Sequence, residues 1–550
     1  MESRRRVNQL RLGPIIGHTD DSSTRIWIQV FDDPRFYSLR VQGAGIFQFV
    51  STEGVLEFGT AIATARGLRP DWRYRYSVLR LGRFVPHGSG TFRTMPQPAS
   101  MANLLFCAIS CNGATSDGVW EAFGRYVDDA QPQFILMMGD QVYMDEDPPD
   151  VFEAHFQSSP AVRRKAFAEK YRLNWSREPV RRLLANTPTY MIWDDHDIRD
   201  GWGSSASDSP TLLQRYPRGA EIFAKSNAFF EDARDAYWHF QGCHNPQPAA
   251  PGDVLDPALP NYVGAPPLHG QRRAMPFALR CGRLVVLMLD SRGDRDVFRD
   301  TYPVLGTEQW QFIDHVFHNL PADVEALAVV TPTPIASMDP DGQTQKLMGG
   351  RTDDVELFKR GDLEAFLTLG ERSSESAGQM LVAAGGSHLS KLAGRQINLG
   401  SFKLSSIDEA RDQWSHLFAR PEQADLLRKA GEARLANRTA GSPRGLIFLS
   451  GDIHVGCLFE ISSLNPRYTA ASLTSSGISK EEGRSFVVGV FVDEDFAVAP
   501  GVRSTLKDVI TTFNFGVIQV IPTGAGAKIH GAVAHEGNSF AVGVDVADLL

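Results

Sequence analysis

Cysteine is scarce in this chain, and a secretion leader is not evident at its N-terminus. The 550 residues include five cysteines, an odd number with no Cys-x-x-Cys pair. Such a set does not indicate a disulfide framework or a structural zinc site, and it favours a reducing compartment. The basic run Arg4–Arg6 precedes a stretch that Arg11, Gly13 and His18 interrupt, so the apolar region of a signal peptide is missing. We therefore expect a cytoplasmic protein.

Long apolar runs and an excess of positive charge are also missing. No run of eighteen or more apolar residues occurs, so no membrane span is expected. The 65 acidic residues outnumber the 56 basic ones and give a net charge of −9. This balance does not indicate a nucleic-acid-binding surface, although it allows a local basic pocket for a small anionic substrate.

The N-terminal part has the pattern of short β-strands. Residues 25–30, 37–41 and 74–78 alternate polar and apolar side chains, as half-buried strands do, and residues 67–71 have the composition of a turn. This pattern predicts a small all-β sandwich of the immunoglobulin or fibronectin kind. We place its boundary in a proline-containing connection, with residues 1–96 as the sandwich domain and 97–550 as a catalytic domain.

Beyond residue 97, short apolar runs alternate with helical patterns. Runs at 104–109, 134–138, 189–193, 284–289 and 446–449 are bounded by Gly, Asp or polar residues. Such runs are typical of strands that are buried on both faces, with helices alongside. Residues 162–171 and 218–240 have helical patterns. We therefore predict an α/β fold for this part.

Each predicted buried strand is followed by residues of types that can bind metals or phosphate. Because ligands bind at the carboxyl ends of the strands in open α/β sheets, these side chains should converge in one crevice. The candidate metal ligands are Cys111, Asp140, Tyr143, Asp195, Asp452 and His454, and the candidate catalytic residues are His196 and Arg292.

The residue types in this set suit the hydrolysis of a phosphate ester. Two cations about 3.5–4 Å apart can activate a water molecule and neutralise phosphoryl oxygens. A bridging ligand must be a carboxylate, and Asp140 is the best candidate. Thiolate and phenolate donors such as Cys111 and Tyr143 favour Fe(III) over Mg(II). The carboxylates of residues 194, 195 and 197 surround His196 and would repel each other unless a cation lies among them.

Taken singly, each of these residues has an ordinary explanation. A Gly-Asp pair after a strand is usually a turn, and a lone buried cysteine is usually an inert thiol. The alternative enzyme class, a hydrolase with a covalent nucleophile, would require a Gly-x-Ser-x-Gly turn, which does not occur among these clusters. A further alternative is a catalytically silent binding or structural protein on the same scaffold, although the intact Asp and His set argues against it.

The motifs resemble those of PhoD-like phosphatases (alkaline phosphatase D), a branch of the calcineurin-like metallophosphoesterases. The residues that carry the resemblance are 139–143 (Gly-Asp-Gln-Val-Tyr), 193–197 (Trp-Asp-Asp-His-Asp) and 451–454 (Gly-Asp-Ile-His). The segments 110–111, 289–292, 305–310, 412–414 and 473–477 fit the same family in order. The resemblance implies a four-layer α/β/β/α domain and hydrolysis of phosphomonoesters or phosphodiesters by direct attack of a metal-bound hydroxide.

The resemblance also implies the metals and the roles of the residues around them. Iron and calcium are the expected pair, with other divalent metals as the alternative, and Fe(III) would be held by Cys111, Asp140, Tyr143 and His454. The second metal or metals would be held by Asp140, Asp195 and Asp452, and His196 would face the substrate.

The chain departs from the wider metallophosphoesterase pattern in ways that favour calcium. Cys111, Asp195 and Asp452 replace the residues usual at their positions, and the two aspartates add oxygen ligands to the second site. A histidine ligand between the third and last motifs has no clear equivalent, and His388 is a candidate. Arg292 and Arg199 are candidate phosphate clamps, although a surface ion pair is the more ordinary role for Arg199.

Overall fold

The structure is a computed structural model that describes most of the chain. The described residues are 9–52, 58–114, 116–145, 154, 156–246, 272–342, 344–345, 353–367, 409–438, 442–480 and 491–535. All five cysteines are free thiols with buried side chains. Within these ranges no helix combines the length and apolar character that crossing a membrane requires.

The N-terminal part forms eight strands in two antiparallel sheets. They are β1 (Leu12–Thr19), β2 (Ser23–Gln29), β3 (Tyr37–Val41), β4 (Gly45–Gln48), β5 (Val50–Ser51), β6 (Thr60–Arg66), β7 (Arg73–Arg80) and β8 (Arg83–Arg93). One sheet has the order β1-β2-β6-β5 and the other β4-β3-β7-β8. Side chains from both sheets, such as Ile26 and Val78, share one core. Strand β8 ends at Arg93, so the boundary predicted after residue 96 falls in the connection to the next strand.

The remaining strands form two larger sheets. A five-stranded sheet has the order β11-β10-β9-β20-β21, and an eight-stranded sheet has the order β12-β13-β14-β15-β17-β16-β19-β18. The strands are β9 (Leu104–Ile109), β10 (Phe134–Met138), β11 (Thr189–Ile192), β12 (Phe277–Cys281), β13 (Leu284–Met288), β14 (Ala326–Val330), β15 (Gly445–Ser450), β16 (Gly456–Leu464), β17 (Arg467–Thr474), β18 (Asp495–Ala499), β19 (Val502–Ile510), β20 (Asn514–Pro522) and β21 (Ala527–His535). Both sheets are mixed: β9, β10 and β11 are parallel, as are β13, β14, β15 and β17, and their other neighbours are antiparallel.

The predicted buried strands are confirmed. Every residue of β10, β13 and β14 is buried, because the sheets are covered on both faces. One face of the eight-stranded sheet shares a core with the five-stranded sheet, through residues such as Val286 and Leu136. The opposite face, which carries Val285, packs with helical side chains such as Ile313 and Leu426.

The helices lie between the strands in sequence. They are α1 (Trp120–Ala130), α2 (Pro160–Trp175), α3 (Glu178–Leu184), α4 (Pro210–Arg215), α5 (Ala220–Phe240), α6 (Gly306–His318), α7 (Asp353–Arg360), α8 (Leu363–Leu367), α9 (Glu409–Asp412) and α10 (Arg420–Ala433). The helical patterns at 162–171 and 218–240 correspond to α2 and α5. The chain is therefore of mixed α/β class.

Three histidines lie where the N-terminal sheets meet the rest of the chain: His244 is buried, and His18 and His239 are partly buried. His18 Nδ1 is 3.2 Å from the Tyr190 hydroxyl, and His239 Nδ1 is 3.0 Å from Thr52 Oγ1. The His244 ring packs 5.1 Å from the Trp27 ring. Burial lowers the pKa of His18 and of His239 to about 4, and that of His244 to about 3. These rings are therefore neutral in the folded protein near neutral pH.

This interface predicts a loss of stability in mild acid. The ordinary histidine pKa is 6.5, so unfolding takes up protons as the pH falls from about 6.5 towards 4. The histidine contribution to stability is fully present above pH 6.5 and lost below it. His244→Phe should make the melting temperature, measured by calorimetry between pH 7.5 and 5, fall less steeply than in the parent protein. Neither ring nitrogen of His244 has a hydrogen-bond partner among the described residues, so Phe removes no such bond. Equal slopes for the two proteins would contradict this assignment.

Candidate metal centre

The carboxyl ends of parallel strands from both large sheets meet at one place. Cys111 follows β9, Asp140 follows β10, and Asp195 follows β11 in the five-stranded sheet. Asp452 and His454 follow β15 in the eight-stranded sheet. Residues far apart in sequence therefore face each other across the junction of the two sheets.

Three overlapping groups of side chains at this junction have the spacing of metal ligands. Within each group, one ligand atom per residue lies within 4.8 Å of the others. The groups are Cys111, Asp140 and His454; Asp140, Asp195 and His196; and Asp140, Asp194, Asp195 and Asp452. Asp140 belongs to all three, which is the position that a bridging carboxylate requires.

Tyr143 completes the first group. Its hydroxyl lies 3.3 Å from Asp140 Oδ2 and 3.1 Å from His454 Nε2. Cys111 Sγ lies 3.3 Å from the same Asp140 oxygen. The structure thus brings together all six residues that the sequence predicted as ligands. It also adds Asp194, which the sequence placed in the cluster without a ligand role.

The backbone at these residues adopts an uncommon conformation. Cys111, Asp140, Asp452 and His454 have φ angles of 58°, 55°, 72° and 54°. They are four of the ten non-glycine residues with positive φ in the described part of the chain. Such conformations cost of order 1–3 kcal/mol each and concentrate at functional sites. Each strand therefore ends in a turn that directs its ligand towards the junction.

Gly139 and Asp197 support the turn at Asp140. Gly139 has φ 101°, and a Cβ atom there would lie 2.5 Å from Asp194 Cβ, so only glycine allows this approach. Asp197 Oδ2 accepts hydrogen bonds from the backbone N–H groups of Asp140 and Asp194, at 2.9 and 3.0 Å. The third acidic residue of the predicted cluster at 194–197 therefore braces the backbone.

Buried carboxylate oxygens without hydrogen-bond partners fit a cation site. Among the described residues, Asp140 Oδ1, Asp194 Oδ2 and Asp195 Oδ1 are buried and accept no hydrogen bond. Unpaired buried polar atoms are costly in folded proteins, and cations are natural partners for carboxylate oxygens. The thiol, phenol, imidazole and carboxyl side chains present here fit a transition metal beside an oxygen-liganded cation.

The pKa values of the buried carboxyl groups also indicate that positive charge is needed beside them. Burial, Cys111 and the neighbouring carboxylates raise the pKa of Asp140 well above its usual range. Burial, Asp194 and Asp195 do the same for Asp452. Burial raises the pKa of Asp194 to about 8, although Arg292 opposes the shift. The ionised forms of these carboxyls are thus unfavourable unless cations lie beside them.

His196 forms a pair with Asp145, a residue that the sequence did not single out. His196 Nδ1 lies 2.9 Å from both Asp145 carboxylate oxygens. Burial opposes the charged form of His196, yet Asp145 and Asp195 raise its pKa well above the usual range. Asp145 also accepts a 2.6 Å hydrogen bond from the backbone N–H of Asp200, which fixes the carboxylate. In the sequence, the signal that could have identified Asp145 is its position two residues after Tyr143.

Arg292 is fully buried, and all five of its N–H groups have protein acceptors. It donates to Asp194, to both carboxylate oxygens of Asp412, to the Trp202 carbonyl and to Thr333 Oγ1. Its NH2 nitrogen also lies 3.5 Å from Asp195 Oδ1. This geometry favours a role in holding carboxylates over the phosphate clamp that the sequence predicted.

Arg199 and His388 were the two other candidate site residues. Arg199 pairs with the buried carboxylate of Asp208 and donates to Ser205 Oγ at 3.2 Å. This is the ion-pair alternative considered for Arg199. His388 lies outside the described residues.

Comparison with known proteins agrees with this architecture. The family model for PhoD-like phosphatase matches residues 106–492. A solved structure of PhoD aligns with a TM-score of 0.54 and 13% identity, covering 99% of this chain and 93% of the other. A purple acid phosphatase, PPD1 from yellow lupin (Lupinus luteus) seeds, aligns with a TM-score of 0.46 and 10% identity, over 95% of this chain and 71% of the other. No curated protein matches the sequence. Because the family model covers more than half of its residues, this chain belongs to the PhoD-like phosphatase family.

Proposed function

We propose that this protein hydrolyses phosphomonoesters or phosphodiesters at a centre of two or more cations. The observation that supports the proposal is the meeting of acidic, thiol, phenol and imidazole side chains around Asp140, with three carboxylate oxygens left without hydrogen bonds. A catalytically silent binding protein on the same scaffold is the alternative. Such a protein has no need for a strained backbone, or for buried carboxylate oxygens without hydrogen bonds, at one place in the fold.

The donor atoms divide into two sets that share Asp140. Cys111, Tyr143 and His454 lie on one side and suit Fe(III), because thiolate and phenolate are soft or strongly donating ligands. Asp194, Asp195 and Asp452 lie on the other side and offer only oxygen, which suits Ca(II). Asp140, which belongs to both sets, would supply a ligand to each kind of cation.

Cations bound in this way would lower the pKa of a coordinated water and neutralise phosphoryl oxygens. The chain itself supplies the proton for the departing oxygen. His196, held by Asp145 through Nδ1, would present its other ring nitrogen to the substrate as the proton donor. Arg292 acts as a positioning residue for Asp194 and Asp195.

We also infer the finer architecture from the packing. The eight-stranded sheet has the five-stranded sheet on one face and α6 and α10 on the other. Residues of α1 and α3, such as Phe123 and Leu183, belong to the core that contains β9 and β10. These contacts support the α/β/β/α layer order, and the core that the two N-terminal sheets share supports a β-sandwich domain at residues 1–96.

Asp140→Asn should lose bound metal and turnover together, because Asp140 belongs to every ligand group. Metal content is measured by plasma mass spectrometry. Activity is measured on p-nitrophenyl phosphate and bis(p-nitrophenyl) phosphate, with and without added calcium. If the parent protein carries no stoichiometric metal and chelation changes no activity, the silent-scaffold alternative is correct.

His196→Ala should retain the metals and reduce kcat by about 10²- to 10⁴-fold, the usual contribution of a general acid. Asp145→Asn should give a smaller loss, of about 10- to 100-fold, because it removes only the group that orients His196. Metal content serves as the control for both variants. If His196→Ala loses metal, His196 is a ligand and the proton-donor role is wrong.

Arg292→Met should destabilise the fold by about 3–5 kcal/mol, because it leaves buried Asp194 and Asp412 carboxylates without their partner. Denaturant unfolding gives this free energy. Arg503→Met, at the exposed pair with Asp495, is the matched control and should leave the free energy of unfolding almost unchanged. A variant that keeps full stability and metal content but loses substrate affinity would restore the phosphate-clamp role.

A further inference from the structure

The side chain of Gln413 reaches the group of four carboxylates. Its Nε2 lies 3.2 Å from Asp452 Oδ2. The residue is 4% exposed, and its Oε1 is buried without a hydrogen-bond partner among the described residues. A buried amide with an unpaired carbonyl oxygen beside Asp452 is costly unless something else engages that oxygen.

The backbone that carries Gln413 is fixed by buried arginines. The Asp412 carboxylate is held by Arg292, and the Asp412 carbonyl accepts a 2.8 Å hydrogen bond from Arg295. The Gln413 carbonyl accepts a 3.0 Å bond from the N–H of His416. Because Arg292 also binds Asp194, one guanidinium sets the position of Gln413 relative to the carboxylate group.

The Gln413 amide can supply a neutral oxygen ligand, which the group of four aspartates does not contain. Calcium takes six to eight oxygen ligands, and amide carbonyls of Asn and Gln are among them. A half-turn of the Gln413 amide about its terminal bond exchanges Nε2 and Oε1. The carbonyl oxygen then takes the place beside Asp452 Oδ2. A neutral oxygen there adds a ligand without adding to the negative charge of the group.

We propose that Gln413 Oε1 is an oxygen ligand of the cation held by Asp140, Asp195 and Asp452. This proposal rests on the proposed metal-dependent function. Gln413 lies between the third and last motifs, where the sequence showed no histidine ligand other than the candidate His388.

Isothermal titration calorimetry with Ca²⁺ tests the proposal. The full-length protein is purified with its tightly bound metal, and EGTA then removes exchangeable ions. Gln413→Met removes both amide functions at similar length and should weaken Ca²⁺ binding by at least about tenfold. Gln413→Glu keeps an oxygen at the same reach and should bind Ca²⁺ as tightly as the parent protein or more tightly. Gln423→Met is the matched control, because Gln423 is a buried glutamine whose amide donates to the Ile335 carbonyl. Its Ca²⁺ affinity should not change.

The two glutamine variants separate ligation from simple hydrogen bonding. If Gln413 only donates to Asp452, the Met and Glu variants should both weaken binding, and the proposal is overturned. Unchanged affinity in the Met variant overturns it as well. Asp452→Asn tests the underlying site independently. If that variant binds Ca²⁺ like the parent protein, the proposed metal centre is wrong, whatever the Gln413 variants do.

Discussion

The concentration of buried negative charge around Asp140 is the constraint on which this structure depends. Four aspartates place oxygens within 4.8 Å of one another, and the residues that face them include one guanidinium, Arg292, and one imidazole, His196. Arg292 and His196 alone do not balance four carboxylates. The fold, the backbone strain and the inferred cations all follow from holding these like charges together.

The repulsion between these buried carboxylates explains why the residues around the site form so many hydrogen bonds. Asp197 holds the backbone of two neighbouring strand ends, and Asp145 holds His196. Arg292 connects Asp194 to Asp412, and through it to Gln413. Each of these contacts fixes the position of a group beside the carboxylates. The site is therefore a preorganised electrostatic arrangement in which second-layer residues are as necessary as the donors.

Much of this could be predicted from the sequence, because the strands of the two large sheets are short continuous apolar runs. The run at 134–138 coincides with β10, and the residues after each run are those that the structure brings together. The roles of Arg292 and Gln413 could not be predicted. Whether an arginine faces substrate or carboxylates depends on which distant segments fold against it, and Asp412 is 120 residues away in sequence. Asp145 was missed because it begins a run of three acidic residues, 145–147, and such a run is ordinary in a loop.

The central strand β9 of the five-stranded sheet lies between β10 and β20, which ends at Pro522. During synthesis on the ribosome, β9 therefore emerges long before one of its two hydrogen-bonding neighbours exists. At about 5–20 residues per second, the delay of some four hundred residues amounts to roughly 20–80 s. For that time the edge of β9, with Cys111 just beyond it, is open to pairing with other chains, and nascent protein would depend on chaperones to protect it.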